Sequence, residues 1–126
     1  MTQWENLFKI RIANPDPSFQ KHEIVKLLIV MKILNKYRKR SWIRIYTEHK
    51  LNGITPDIYF QNIKTKSVIC FEIQDKVTEK WVKEKTKQYN SYEIPFMKSI
   101  DLIIVPLKEL STDITKLNQE LEKYIF

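Results

Sequence analysis

Glycine is almost missing from this chain: Gly53 is the only one in 126 residues. A loop that cradles phosphate needs several glycines, because only backbone without a Cβ approaches the anion closely enough, so P-loop and Rossmann readings are excluded. Cysteine is equally scarce. Cys70 stands alone, which leaves no internal disulfide and no sign of an oxidising compartment. One cysteine and two histidines also cannot make a Cys/His zinc site. The longest apolar run, Ile24 to Leu34, is broken by Lys26 and Lys32 and is too short to span a bilayer. Glu5, Lys9 and Arg11 interrupt the N-terminal region in a way that a secretory signal does not tolerate. No repeat, low-complexity stretch or linker is legible, and no Ser-His-Asp arrangement. The expectation is an intracellular, cytoplasmic protein, one domain over residues 1–126, with no membrane partner.

What is present is apolar mass and positive charge. Hydrophobic residues make up 43% and aromatics 12%, enough for a packed core. Lys and Arg number 22 against 15 acidic residues, a net charge of +7. Such a surface suits a polyanion, nucleic acid first; the plainer alternative is a basic protein that is merely soluble.

The stretch from Ile54 to Gln74 organises the rest. Two β-prone runs, Ile54 to Phe60 and Val68 to Gln74, flank the polar segment Gln61 to Ser67, which predicts a hairpin. Each run carries an acid: Asp57 opens the first and Glu72 lies near the end of the second. Strand side chains alternate, so Val68, Cys70, Glu72 and Gln74 share one face. Antiparallel pairing then brings Asp57 beside Glu72. An Asp after proline is ordinarily a turn residue and a lone strand Glu ordinarily faces solvent. Two carboxylates brought together, with an amide two residues on, ask instead for a shared proton or a cation.

Around this hairpin the elements fall in order. Phe8, Ile10 and Ile12 alternate with charges and predict a short strand, broken at Asn14-Pro15-Asp16-Pro17. A helix is expected from Ser18 to Lys39, capped by Asp16 or Ser18, its middle apolar nearly all round and so buried against a sheet. Its basic end (Lys36, Arg38, Lys39, Arg40) suits the helix dipole, or, with Arg44 nearby, a DNA phosphate patch. A first strand spans Ser41 to His49 and a turn Lys50 to Thr55, around Asn52-Gly53. A second helix covers Thr78 to Glu93, stopped by Pro95, with Trp81, Val82, Lys85, Gln88, Tyr89 and Tyr92 on one side. A fourth strand, Ile100 to Val105, reads as apolar throughout and covered on both faces. Ser111 to Phe126 forms an amphipathic helix capped by Ser111. The fold class is α/β, a mixed four-stranded sheet flanked by helices, with the fourth strand parallel to the third.

Phosphodiester hydrolysis needs a hydroxide near neutral pH and neutralised charge on the transition state, and a hard cation on oxygen ligands supplies both. Asp57 and Glu72 would hold it, with the Ile73 carbonyl as a candidate third ligand and Gln74 positioning water. His22, beside Glu23, and the pair Glu48 and His49 are further polar candidates. Basic groups from Lys36 to Arg44, at Lys64 and Lys66, and from Lys80 to Lys87 would bind phosphates without reading sequence.

Pro56-Asp57 followed by Glu72-Ile73-Gln74, on successive strands, resembles the PD-(D/E)XK nuclease superfamily, the fold of restriction enzymes, archaeal Holliday-junction resolvases and RecB-type nucleases. That family carries an Asp on the second core strand and Glu/Asp-x-Lys on the third; Gln74 stands here for the Lys. The resemblance covers roughly Lys21 to Val105. It implies a restriction-endonuclease-like αβββαβ core plus a C-terminal helix. By the same resemblance Glu23 completes a metal site, and Gln88 and Tyr92 match the Gln-x-x-x-Tyr of RecB-like members. Mg²⁺ or Mn²⁺ is the implied cofactor, DNA (branched or single-stranded) the partner, and a homodimer the assembly. Lys76 or Lys85 would replace the missing lysine. The reading is a metal-dependent DNA endonuclease of replication, recombination or repair. Its alternative is a catalytically decayed module of the same fold that binds nucleic acid or protein without cutting. A third reading, from another class, is a structural interaction protein with incidental charge.

Overall fold

The computed structural model describes residues 17–38 and 41–126. The expected strand over 8–12, Asp16, Lys39 and Arg40 lie outside the described residues. The order is α1 (Pro17–Tyr37), β1 (Ile43–Thr47), β2 (Ile58–Asn62), β3 (Ser67–Gln74), α2 (Glu79–Asn90), β4 (Ser99–Pro106) and α3 (Ile114–Glu120), the last continued by a 3₁₀ turn, Leu121–Tyr124. Pro17 opens α1, where its missing N–H costs nothing. Arg38, in the left-handed region at φ +55°, stops it.

The sheet runs β1-β2-β3-β4. The first three strands are antiparallel, and β4 is parallel to β3 because α2 carries the chain back between them. The hairpin loop is shorter than expected. Gln61 and Asn62 stay paired, with Val68 and Ser67, and Asn62 turns the corner by accepting the N–H groups of Lys64 and Thr65 through Oδ1 at 3.0 and 3.1 Å. Thr78 caps α2, its hydroxyl accepting from the Trp81 N–H at 3.2 Å.

Helices cover both faces. On one, Val25, Ile29 and Ile33 of α1 pack with Ile58, Phe60, Phe71 and Ile73 of the sheet and with Leu117 and Leu121. On the other, Tyr89 of α2 packs with Tyr59, Val68 and Cys70. Each fully buried aliphatic contributes roughly 1.5–3 kcal/mol.

Helix α1 lies against the sheet as expected, while Ile24, Leu27 and Met31 are more than a third exposed, since a helix on a sheet buries only one stripe. Two expectations are corrected. Strand β4 is not the continuous apolar run expected: it is the sheet edge, Asp101 interrupts it, and only Val105 is fully buried. Ile103 on one face and Ile100 and Leu102 on the other nevertheless pack against the two cores. The last helix starts at Ile114 with Asp113 as its cap, because Asp113 Oδ1 reaches the Thr115 N–H at 3.3 Å while Ser111 accepts from Asp113 N–H at 3.0 Å. No helix among the described residues is long and apolar enough to cross a membrane.

Candidate active site

β2 begins later than the apolar run because Pro56 has no N–H to give. Asp57 still joins its neighbours: its N–H donates to the Phe71 carbonyl and its carbonyl accepts from the Glu48 N–H, both at 3.0 Å. The next rung is made by a side chain. The Ile73 N–H donates to Asp57 Oδ2 at 2.7 Å. Since Ile58 pairs with Phe71, the register sets Asp57 against Glu72, as the hairpin spacing predicts.

The second Asp57 oxygen faces α1. Oδ1 lies 3.3 Å from His22 Nε2, and His22 Nδ1 lies 3.4 Å from Glu23 Oε1. Glu23 Oε2 is 2.8 Å from Lys26 Nζ, which is also 3.6 Å from Glu48 Oε1. Acidic and basic groups thus alternate along Asp57, His22, Glu23, Lys26 and Glu48, with the Lys26 side chain fully buried. His22 Nδ1 and Glu23 Oε2 are buried without a well-aligned hydrogen bond, so their short contacts act coulombically. The hydrogen bond to Asp57 raises the His22 pKa above its ordinary value, against burial, with the Asp57 and Glu23 charges adding to it.

Glu72 addresses the other helix. Its Oε1 accepts from the Tyr89 hydroxyl at 2.8 Å and from Lys85 Nζ at 3.4 Å. Burial raises its pKa; Tyr89 and Lys85 oppose the shift, and the nearby Asp57 charge adds to it. Burial, then the Glu72 carboxylate, holds the Tyr89 phenol far above its ordinary value. The two acids therefore feel one another while each is held by a different helix.

The remaining candidates divide. Gln74 is half-buried at the end of β3, beside Pro106 of β4, and Lys76 is exposed beyond the strand. Glu23 is bound to Lys26 and His22. Among the described residues no three His, Cys, Asp or Glu side chains come together to hold a metal, so Glu23 does not close a trio with Asp57 and Glu72. Gln88 and Tyr92 do not reach the acids. Gln88 Nε2 donates to the Gly53 carbonyl at 3.3 Å and the Tyr92 hydroxyl accepts from the Asn52 N–H at 2.8 Å, so the pair fastens the Asn-Gly turn to α2. His49 sits between Tyr46 and Tyr59, ring centroids 4.8 Å from each, and burial lowers its pKa.

The basic cluster is elsewhere. Lys36 donates to the Phe126 carbonyl and Arg44 folds back on the Ser41 and Ile43 carbonyls at 2.6 and 3.1 Å. Lys36 and Arg38 lie some fifteen residues along α1 from His22, about 20 Å at 1.5 Å per residue.

Two site residues were not legible as such, Lys26 and Tyr89; His22 is legible only as a polar candidate beside Glu23. The available signal was spacing. Lys85 and Tyr89, four apart on α2, share a face and both meet Glu72, whereas the motif match at Gln88 and Tyr92 falls three positions further on. No protein-family model, curated protein or solved structure matches this chain.

Proposed function

We propose that this chain is a metal-dependent nuclease hydrolysing phosphodiester bonds in DNA, structure-directed or non-specific, on a restriction-endonuclease-like core. The observation that carries the reading is the junction of Asp57 with β3: its carboxylate binds the N–H of Ile73, next to Glu72, whose pKa is raised chiefly by burial, with the Asp57 charge adding to it. Adjacent carboxylates that repel each other favour a bound cation. Mg²⁺ keeps most of its waters and needs only one or two protein carboxylates, so Asp57 and Glu72 fit it, whereas Glu23, neutralised by Lys26, does not. When bound, such an ion supplies an activated water and charge neutralisation.

The chain's own residues do the rest. Lys85, 3.4 Å from Glu72 Oε1 and 30% exposed, offers the ammonium that Gln74 cannot. Gln74 would hold water by hydrogen bonds on the same strand face as Glu72. Tyr89 fixes the rotamer of Glu72, and His22 does so for Asp57. The homodimer stays part of the proposal.

The test is nicking of plasmid and branched DNA with Mg²⁺ or Mn²⁺, wild type against Asp57→Ala and Glu72→Ala. Cutting by the wild type and by neither variant supports the reading; equal cutting by all three removes it. The second reading, a module of this fold that binds without cutting, draws on the basic groups already standing at each acid: His22 at Asp57 and Lys85 at Glu72. It predicts DNA binding with steep salt dependence and no cleavage with any divalent metal.

A further inference from the structure

One aromatic side chain is spent on nothing inside the molecule. Phe96 is 90% exposed, the most exposed large apolar residue described. It sits in the turn Ile94-Pro95-Phe96-Met97, closed by the Met97 N–H on the Ile94 carbonyl at 3.1 Å. Proline at the second position and a third residue at φ +69° make this a type II turn. That third position favours glycine, because a Cβ is strained there. Ile94 and Met97 pack into the cluster beneath α2, so the turn is anchored on that side of the sheet with the ring at its tip.

The same side carries a row of cations. Lys80, Lys83 and Lys87 of α2 are three and four residues apart, on one helical face, and all are exposed. Lys98 follows the turn, its N–H bound to the carbonyl of Lys66 at 2.7 Å; both lysines are exposed. Glu79, Glu84 and Glu93 lie among them, against Lys66, Lys80, Lys83, Lys87 and Lys98, leaving the lysines in excess. Near the turn, Ser99 pairs with Ser67, and five residues along β4 Ile104 pairs with Glu72. The turn is therefore about 17 Å or more from the acids at 3.3 Å per residue.

We propose that α2's Lys80, Lys83 and Lys87 and the Pro95-Phe96 turn form a binding surface for single-stranded nucleic acid, the lysines meeting phosphates and Phe96 stacking on an unpaired base. A rigid turn lowers the entropy cost of presenting a ring, every base offers a π-face to it, and phosphate attraction supplies the remaining affinity without sequence preference. A duplex keeps its bases stacked and gives Phe96 nothing to receive. The inference shares with the proposed function only a nucleic-acid partner; it needs none of the cleavage chemistry.

The test is fluorescence anisotropy in EDTA at low salt, with labelled oligo(dT), a chain of abasic sites of equal length, and a duplex. Phe96→Ala should weaken oligo(dT) binding roughly 5- to 150-fold, the range for losing one base stack, and leave the abasic chain and the duplex unchanged. Phe96→Trp should restore it. Lys83→Gln with Lys87→Gln should weaken all three probes and lower the single-strand salt slope by about 1.4. The inference is overturned if wild type binds oligo(dT) no tighter than the abasic chain, or if Phe96→Ala binds as wild type does. It is equally overturned if the Phe96 dependence appears on phosphatidylserine vesicles and not on oligo(dT). A wild type that cuts DNA with Phe96→Ala indifferent in binding sinks this inference alone; a protein that never cuts yet loses oligo(dT) with Phe96→Ala sinks the nuclease alone.

Discussion

Asp57 and Ile73 make a rung of the sheet that no backbone carbonyl makes: the carboxylate accepts the N–H of Ile73, a residue only 4% exposed, at 2.7 Å. One side chain thus closes the ladder and presents charge to Glu72. The two roles separate by substitution. Asp57→Ala leaves a buried N–H without an acceptor and should cost about 1–3 kcal/mol, read as a lower urea midpoint at unchanged slope. Asp57→Asn keeps an oxygen for Ile73 and should lose less than half of that. As a nuclease it should nevertheless lose cutting as fully as Asp57→Ala does. Equal midpoints for wild type and Asp57→Ala would remove the rung.

The Tyr89 hydroxyl is a hydrogen-bond donor to a carboxylate whose side chain is 12% exposed. Little water is at hand to replace it. Tyr89→Phe should destabilise the fold by about 1.5–3 kcal/mol near neutral pH, the range for a bond to a charged group. Its Glu72 should titrate at higher pH than in wild type, which carboxyl ¹³C shifts would read. An unchanged titration would mean that Tyr89 is only a core ring.

Period and order were legible; the side-chain bookkeeping at element ends was not. The hairpin register followed from two apolar runs of fixed parity, so Asp57 fell against Glu72 without any knowledge of contacts. Parity does not say which helix each carboxylate turns toward. That was set by Pro56, which delays β2, and by His22 and Lys85 approaching from opposite faces. Lys26 was read as an interruption of an apolar run; burial in an ion pair with Glu23 lets it lie fully inside. β4 reads as an apolar run, and within it only Asp101 signals the exposed edge.

His22 gives stability a pH dependence of definite sign. Its folded pKa is raised above the ordinary 6.5, so its stabilisation is fully present below 6.5 and is lost as pH rises through the folded value. Glu72, a carboxyl with a raised folded pKa, acts in the same direction: its cost is absent below 4.5 and complete above the raised value. The difference between wild type and His22→Gln isolates the imidazole. Measured by denaturant unfolding in EDTA, the wild-type advantage should be full below pH 6.5 and shrink as pH rises through the folded value. A gap that widens with pH would reverse the assignment of His22 to Asp57.

Phe96 allows the turn itself to be tested apart from any partner. A non-glycine residue at φ +69° is strained by roughly 1–2 kcal/mol, and glycine returns about 0.5–1 kcal/mol of that through its freer unfolded chain. Phe96→Gly should therefore be more stable than wild type by roughly 0.5 kcal/mol, a rise in Tm of about 2 °C for a domain of this size. Phe96→Ala keeps the strain and loses a ring that buries almost nothing, so its Tm should match that of wild type. A Phe96→Ala protein that melts several degrees lower would place the ring in a contact within the fold and leave it unavailable for an unpaired base.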